Sequence, residues 1–322
     1  MKDRTRMTAT IPVGVNGQGD TLGGMEWRLA GGVTIGRALA TARQRLKEAG
    51  CETARLDAEV LLAHALAVSR SWLFAHSERI LLPEEASTFE SLVKRRAQHE
   101  PVPYLVGHKA FYGLDFTVDR RVLIPRPETE ILVDHAVEFL TWRCQEAEAD
   151  GGEALVRIAD VGTGCGAIAV TLALKCSSAH IYAIDLSADA LAVAAQNVWR
   201  YGVGEQVTLI EGDLLGPLPE PVDLITANLP YVAEADWASL APDIVQYEPR
   251  LALDGGPDGL SLIGRLLVQA PPWLRPRGAI LLEIGRDQGE AVRRMALQQF
   301  PQATVAVIRD YADLDRIVYI AT

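Results

Sequence analysis

The chain has 322 residues, 49% hydrophobic and 23% charged, which allows two domains and a real apolar core. A net charge of −11 argues against broad phosphate-backbone binding, so no direct nucleic-acid partner is expected, whereas a protein with a basic face is favoured by steering. Four scattered cysteines, without a C-x-x-C pair or a His at ligand spacing, leave no metal site and place the chain in a reducing cytoplasm, and no apolar run reaches membrane-spanning length.

Residues 1–32 lack periodicity and read as a disordered leader; IPVGVNGQGDTLGG has no continuous apolar stretch of the signal-peptide kind, and Met25 is an alternative start to Met1. Thr34 is a candidate N-cap for IGRALATARQRLKEAG, which closes on Gly50. ARLDAEVLLAHALAV (54–68), a short SRSWLFAH piece and PEEASTFESLVKRRAQH (83–99) repeat apolar residues at helical spacing, which predicts a small N-terminal helical bundle over residues 33–100. Prolines, glycines and aromatics dominate residues 101–127, where alternation in AFYGLDFTV and RVLI predicts a β-hairpin linker.

A C-terminal domain, residues 128–322, follows. A helix over 127–149 has Pro127 in its first turn, and a Gly151–Gly152 break comes next. VRIADVG, HIYAIDLS, QVTLIEGD, VDLITANLPY and AILLEIG read as strands alternating with helices such as SADALAVAAQNVWRYG. TVAVIRD and RIVYIAT have too short a connection for a helical crossover, so the last pair is antiparallel. The fold class is α/β: a Rossmann-like, mostly parallel sheet with an antiparallel last strand and ligand sites at the carboxyl ends of its strands.

RIADVGTGCGAIAVTLAL puts Gly162, Gly164 and Gly166 between the first strand of this domain and a helix, where glycines permit tight turns and close approach of a ligand. Asp185, about twenty residues on, is placed to accept hydrogen bonds from both hydroxyls of a ribose. Asp213 ends the next strand, where an adenine would lie. The spacing is G-x-G-x-G with Asp160 before it, and a carboxylate at the loop suits a cationic ligand better than a pyrophosphate. In this order the features resemble the S-adenosyl-L-methionine (AdoMet)-dependent methyltransferases, with NAD the alternative ligand. Each Asp alone reads as a cap or turn residue.

VDLIT hands over to Asn228, Leu229, Pro230 and Tyr231. A planar amide or amine nitrogen is a poor nucleophile because its lone pair is delocalised. Acceptors for both of its N–H groups favour a pyramidal nitrogen in the transition state. The Asn228 side-chain oxygen and the Leu229 carbonyl are candidate acceptors, Pro230 stiffens the turn, and Tyr231 offers an aromatic face. Asn228 and Tyr231 are thus candidate catalytic residues within a substrate-binding turn, 228–231. The tetrapeptide resembles the (N/D/S)-P-P-(Y/F) signature of amino-methyltransferases, with Leu229 removing one φ constraint.

RRAQHEPVPYLVGHKAFYGLDFTVDRRVLIPRPETEILVDHA (95–136) is similar to the linker of the HemK-type peptide chain release factor glutamine methyltransferases. The matches are Arg95, Arg96, Glu100, Pro101, Tyr104, Gly107, Phe111, Gly113 and the run Val122–Glu130, joined downstream by EPRLALDGGPDGL (248–260) and LLEIGRDQG (281–289). The resemblance implies a class I AdoMet methyltransferase sheet over 128–322 and a release-factor-binding role for the helical domain. The implied reaction is N5-methylation of the glutamine in the GGQ motif of bacterial class-one release factors, with S-adenosyl-L-homocysteine as product. It also implies that Gly162, Thr163, Gly164, Cys165, Gly166, Asp185, Asp213, Leu214 and Asn228 hold the cofactor, Leu214 standing where the family often has an aromatic residue. Residues 95–136 also read as a hairpin bracing two domains, with Arg126 placed to pair with Glu128 or Glu130. His64, His76 and His135 read as structural. The alternatives are a ribosomal-protein glutamine methyltransferase, a nucleic-acid adenine or cytosine amino-methyltransferase, which the acidic charge opposes, and a non-catalytic AdoMet-binding scaffold, which Asn228 and Tyr231 oppose.

Overall fold

Five helices open the described chain, four of them at a capping hydroxyl or a first-turn proline. The Thr34 hydroxyl accepts the Arg37 N–H at 3.4 Å and caps α1 (Ile35–Glu48). Behind it come α2 (Ala54–Ala65), α3 (Arg70–Ala75), capped by Ser69, and α4 (Pro83–Arg96), which begins on a proline. A short α5 (Val102–Val106) completes the set. Ile35, Leu46, Leu61, Leu62, Leu73, Phe89 and Val93 are fully enclosed in their common core. This computed structural model describes Leu29, residues 32–149 and residues 155–322. Apart from Leu29 and Gly32, the expected leader, with the alternative start at Met25, lies outside the described residues, as does the Gly151–Gly152 break.

α5 falls where the sequence suggested only a hairpin. Prolines at its start cost no helical hydrogen bond, and Leu105 and Val106 join the helical core. The R-R-x-x-x-E-P stretch fastens the end of α4. Arg95 makes two bonds to Glu100 at 2.7 and 2.8 Å, Arg120 adds a third at 2.7 Å, and Arg96 meets buried Asp57 at 2.8 Å. β1 (His108–Phe111) and β2 (Leu114–Thr117) pair antiparallel. They turn at Tyr112 and Gly113, with φ of 51° and 74°, the left-handed pair of a type I′ hairpin. RVLI (121–124), expected as a strand, forms none. Its alternation records one-sided burial in an irregular segment, where the Tyr104 hydroxyl donates to the Val122 carbonyl at 2.6 Å.

Beyond α6 (Thr129–Ala149), strands and helices alternate: β3 (Val156–Val161), α7 (Ala167–Lys175), β4 (Ala179–Asp185), α8 (Ala188–Arg200), β5 (Val207–Glu211) and β6 (Val222–Ala227). There follow α9 (Pro242–Tyr247), α10 (Ser261–Gln269), β7 (Leu274–Glu283), α11 (Gly289–Gln299), β8 (Thr304–Arg309) and β9 (Asp315–Ala321). The strands form one seven-stranded sheet in the order β5-β4-β3-β6-β7-β9-β8. Pairing is parallel from β5 through β7, and β9 runs antiparallel to both neighbours. The expected mostly parallel sheet with an antiparallel last strand is the one that forms. Both faces are buried, Ile158 and Leu224 on the side of the hairpin and α6–α8, Val161 and Ile225 on the side of α10 and α11. Strand order reverses between β3 and β6, and such a switch point opens a crevice at the carboxyl ends. Buried Asn197 of α8 braces one edge of it, accepting the Thr117 N–H at 2.8 Å and donating to the carbonyls of Thr117 and Cys165 at 3.0 and 2.8 Å.

Candidate active site

The crevice at the switch point encloses about 820 Å³ of non-atom space, its open mouth included. Gly162 and Gly164, at the end of β3, form one wall. Their φ values of 75° and 56° explain the glycines, and a Cβ on Gly162 would stand 3.2 Å from the Leu229 side chain. Asp185 is bonded to the loop it faces, accepting the Gly164 N–H at 2.8 Å and the Ser187 N–H at 2.9 Å. Burial raises its carboxyl above the ordinary range, and these N–H donors oppose that rise. The carboxylate keeps acceptor capacity for a further donor. Asp213 and Leu214 lie farther along the wall with Leu186 and Leu262. Leu214 sits at φ 54° and is buried, and Asp213 is ion-paired to Arg265.

The Asn228–Pro230 turn closes the crevice from the end of β6 and also lines a second cavity of about 520 Å³ behind it. Tyr231, Arg126, Ile244, Leu253 and Glu283 belong to that second cavity. Tyr231 is held by a loop of glycines: a Cβ on Gly255 would come within 2.8 Å of its Cα, and one on Gly259 within 2.3 Å of its carbonyl oxygen. That carbonyl accepts Gln288 Nε2 at 3.1 Å. Burial pushes the Tyr231 phenol up to about 12, so it stays neutral near pH 7. Asn228 Nδ2 donates to Thr129 Oγ1 at 3.1 Å, and Thr129 Oγ1 donates to Glu283 Oε2 at 2.6 Å. The Leu229 side chain is buried, and its carbonyl accepts no hydrogen bond from a described residue.

Of the residues singled out from sequence, Gly162, Gly164, Asp185, Asp213, Leu214, Asn228, Leu229 and Pro230 meet around the first cavity. Thr163, Cys165 and Gly166 do not line it. The Thr163 hydroxyl turns back to Asp160 at 2.6 Å, Cys165 is buried in the core, and Gly166 packs on Ala194 of α8. Asp160 is itself enclosed, accepting from Thr163 and from Thr226, the latter at 2.9 Å, with burial raising its carboxyl to about 6. It braces the loop from behind and makes no part of the cavity wall. Arg126 pairs with neither Glu128 nor Glu130 but with Glu248 at 2.5 Å, whose carboxylate also accepts the Ile124 N–H at 3.4 Å. Arg121, Val122, Leu123, Pro249 and Leu251 also line the first cavity. In the sequence their segments stand out as similarity motifs and, for RVLI, through alternation, with no site role for the individual residues. Thr129, Gln288 and Glu283 were missed as individuals, although an acid ending the apolar run AILLE was a signal.

A doubly wound sheet in this strand order, with a glycine loop after its central strand and an Asn-x-Pro-Tyr turn beside it, defines a class I methyltransferase. Residues 37–107 match the PrmC N-terminal domain and residues 158–247 a methyltransferase domain. The release factor glutamine methyltransferase of Moorella thermoacetica is 44% identical over 285 residues, covering 88% of this chain and 97% of its own. That of Chlorobaculum tepidum is 42% identical over 267 residues, covering 81% and 88%. A solved structure of the hMettl16 catalytic domain in complex with the MAT2A 3′UTR hairpin 6 shares the fold, with a TM-score of 0.50 at 16% identity over 75% of this chain and 84% of that one. The chain belongs to the release factor glutamine methyltransferase family.

Proposed function

We propose that the protein methylates the side-chain amide nitrogen, N5, of the glutamine in the GGQ motif of bacterial class-one peptide chain release factors, with AdoMet as methyl donor. The observation that carries this reading is the Asn228–Pro230 turn standing as a shared wall between two cavities. One has the polar and apolar groups that suit a nucleoside, and the other is smaller and partly lined by an aromatic ring.

The residues of the first cavity fit AdoMet. Asp185 offers acceptor positions to a ribose diol at the end of β4, Leu186, Leu214 and Leu262 flank a purine, and the Gly162–Gly164 main chain admits the amino-acid end. When bound, AdoMet supplies a methyl group on a sulfonium. Asn228 Oδ1 and the Leu229 carbonyl accept the two N–H groups of the glutamine amide and stabilise the pyramidal nitrogen. Neutral Tyr231 covers the flat face of the amide and any developing positive charge. Holding the nitrogen against the turn supplies much of the rate through alignment; the electron pair of the broken C–S bond stays on sulfur, and the methylated nitrogen then loses a proton to water. The helical domain, residues 33–100, binds the release factor. The linker, 101–127, which carries α5 and the β1–β2 hairpin, sets that domain against the catalytic domain, 128–322, and the enzyme works in the cytoplasm.

Incubation with methyl-labelled AdoMet and an unmethylated release factor, a ribosomal protein or DNA tests the reading. Label in the release factor alone supports it, and label in either competitor with none in the release factor overturns it.

A further inference from the structure

Glu283 ends β7 with its side chain enclosed and forms no ion pair with a described residue. Arg126 and Arg316 act on it only through space, and the one hydrogen bond its side chain makes with a described residue is the 2.6 Å contact from Thr129 Oγ1. Thr129, the first residue of α6, is 4% exposed, and its hydroxyl also meets Asn228 Nδ2 at 3.1 Å. A buried carboxylate without a cationic partner is costly to keep, and packing alone would put an apolar side chain at the end of AILLE.

An ionised carboxylate only accepts hydrogen bonds, and a threonine hydroxyl has a single proton. Once Thr129 gives that proton to Glu283, it can meet Asn228 only as an acceptor. Asn228 must then turn Nδ2 towards Thr129, which leaves Oδ1 facing the cavities. The two orientations of an asparagine amide are almost identical in shape, so shape cannot choose between them. The wrong one would set an NH2 donor against the NH2 donor of the substrate. We propose that Glu283 and Thr129 form a polarity relay that fixes the Asn228 amide with its oxygen towards the acceptor amide, making both of them positioning residues for methyl transfer. The proposal rests on the functional reading above for the identity of the acceptor. The direction of the relay itself follows from the three side chains once Glu283 is ionised, so the comparison is made at about pH 8.

The test compares full-length wild type, Thr129→Val and Thr129→Ser in two readouts. In methyl transfer to an unmethylated release factor, Thr129→Val lowers kcat roughly 10- to 100-fold, while KM for the release factor and Kd for AdoMet stay within about two-fold. Thr129→Ser, which keeps the hydroxyl, restores most of kcat. In the free, nitrogen-15-labelled protein, the Asn228 side-chain amide protons exchange about ten-fold faster in Thr129→Val than in wild type. Thr129→Val can fail to fold because it strands Glu283. The Thr129→Val/Glu283→Leu double variant, which removes both polar partners, then takes its place with the same expectations. A valine variant within about three-fold of wild-type kcat, or unchanged Asn228 exchange, overturns the relay. A wild-type enzyme that leaves the release factor unmethylated overturns the functional reading instead, and the exchange comparison still decides the relay.

Discussion

Glu283→Gln gives a quantitative test of the buried carboxylate at the centre of the site. Burial lifts the Glu283 carboxyl from 4.5 to about 7, and the bond from Thr129 only partly opposes that rise. In the unfolded chain the group titrates near 4.5, so between about pH 4.5 and 7 the native state holds more protons than the unfolded state. Wild-type stability therefore falls as pH rises through this window, and the full penalty, about 3 kcal/mol for a shift of about 2.5 pH units, applies above about 7. Below about 4.5 both states are protonated and the penalty vanishes. Glutamine keeps the shape and an acceptor for Thr129 but does not titrate. The variant's stability relative to wild type should thus rise by about 2 to 3 kcal/mol between about pH 5 and about pH 8. Asp160, Asp185 and Glu248 also have raised values, but they titrate in both proteins and cancel in the difference. Urea unfolding at several pH values, with unchanged m, reads the quantity directly. A difference constant to within about 0.5 kcal/mol across that range would show that Glu283 is not held in a strongly desolvated site.

Asn228→Ala should lower turnover by about 10² to 10³ while AdoMet affinity, measured by calorimetry, changes little; affinity and turnover falling together would count against the acceptor role. Asp185→Ala removes the acceptor of the Gly164 and Ser187 N–H groups as well as the ribose contact, so AdoMet Kd should rise at least about 10-fold. Gly259→Ala forces a Cβ to within 2.3 Å of the Tyr231 carbonyl oxygen at a φ of 74°, and should cost about 2 kcal/mol of stability by urea unfolding. The kcat of the wild type should rise with pH through about 7 as Glu283 ionises under the influence of Arg316, Arg126 and Glu128, and this inflection should be missing in the kcat profile of Glu283→Gln.

The sheet and its glycine loop are legible in the sequence because both are local. Apolar runs mark the strands, and glycine at positive φ marks the turn after β3. Asn228 to Tyr231 stands out for a similar reason, since a buried strand rarely ends on an amide, a proline and an aromatic ring together. What holds these residues is not local. Gly255, Gly259 and Gln288 cradle Tyr231 from 24 to 57 positions away in the sequence, and Thr129 reaches Asn228 across 99 positions. Side-chain direction was equally hidden: Thr163 and Cys165 sit in the loop, yet one turns to Asp160 and the other into the core. The alternation of RVLI was real but misleading, because one-sided burial produces the period of a strand even where no partner strand exists.

In the proposed function, the turn between the two cavities presents a glutamine amide to the methyl donor. The most direct test of this is fragmentation mass spectrometry of the GGQ-containing peptide, after an unmethylated class-one release factor has been treated with AdoMet and either wild-type protein or Asn228→Ala. The expected result is a single methyl on the side-chain nitrogen of that glutamine with wild type and none with Asn228→Ala; a methyl elsewhere on the release factor, or an equal yield from both proteins, would contradict it.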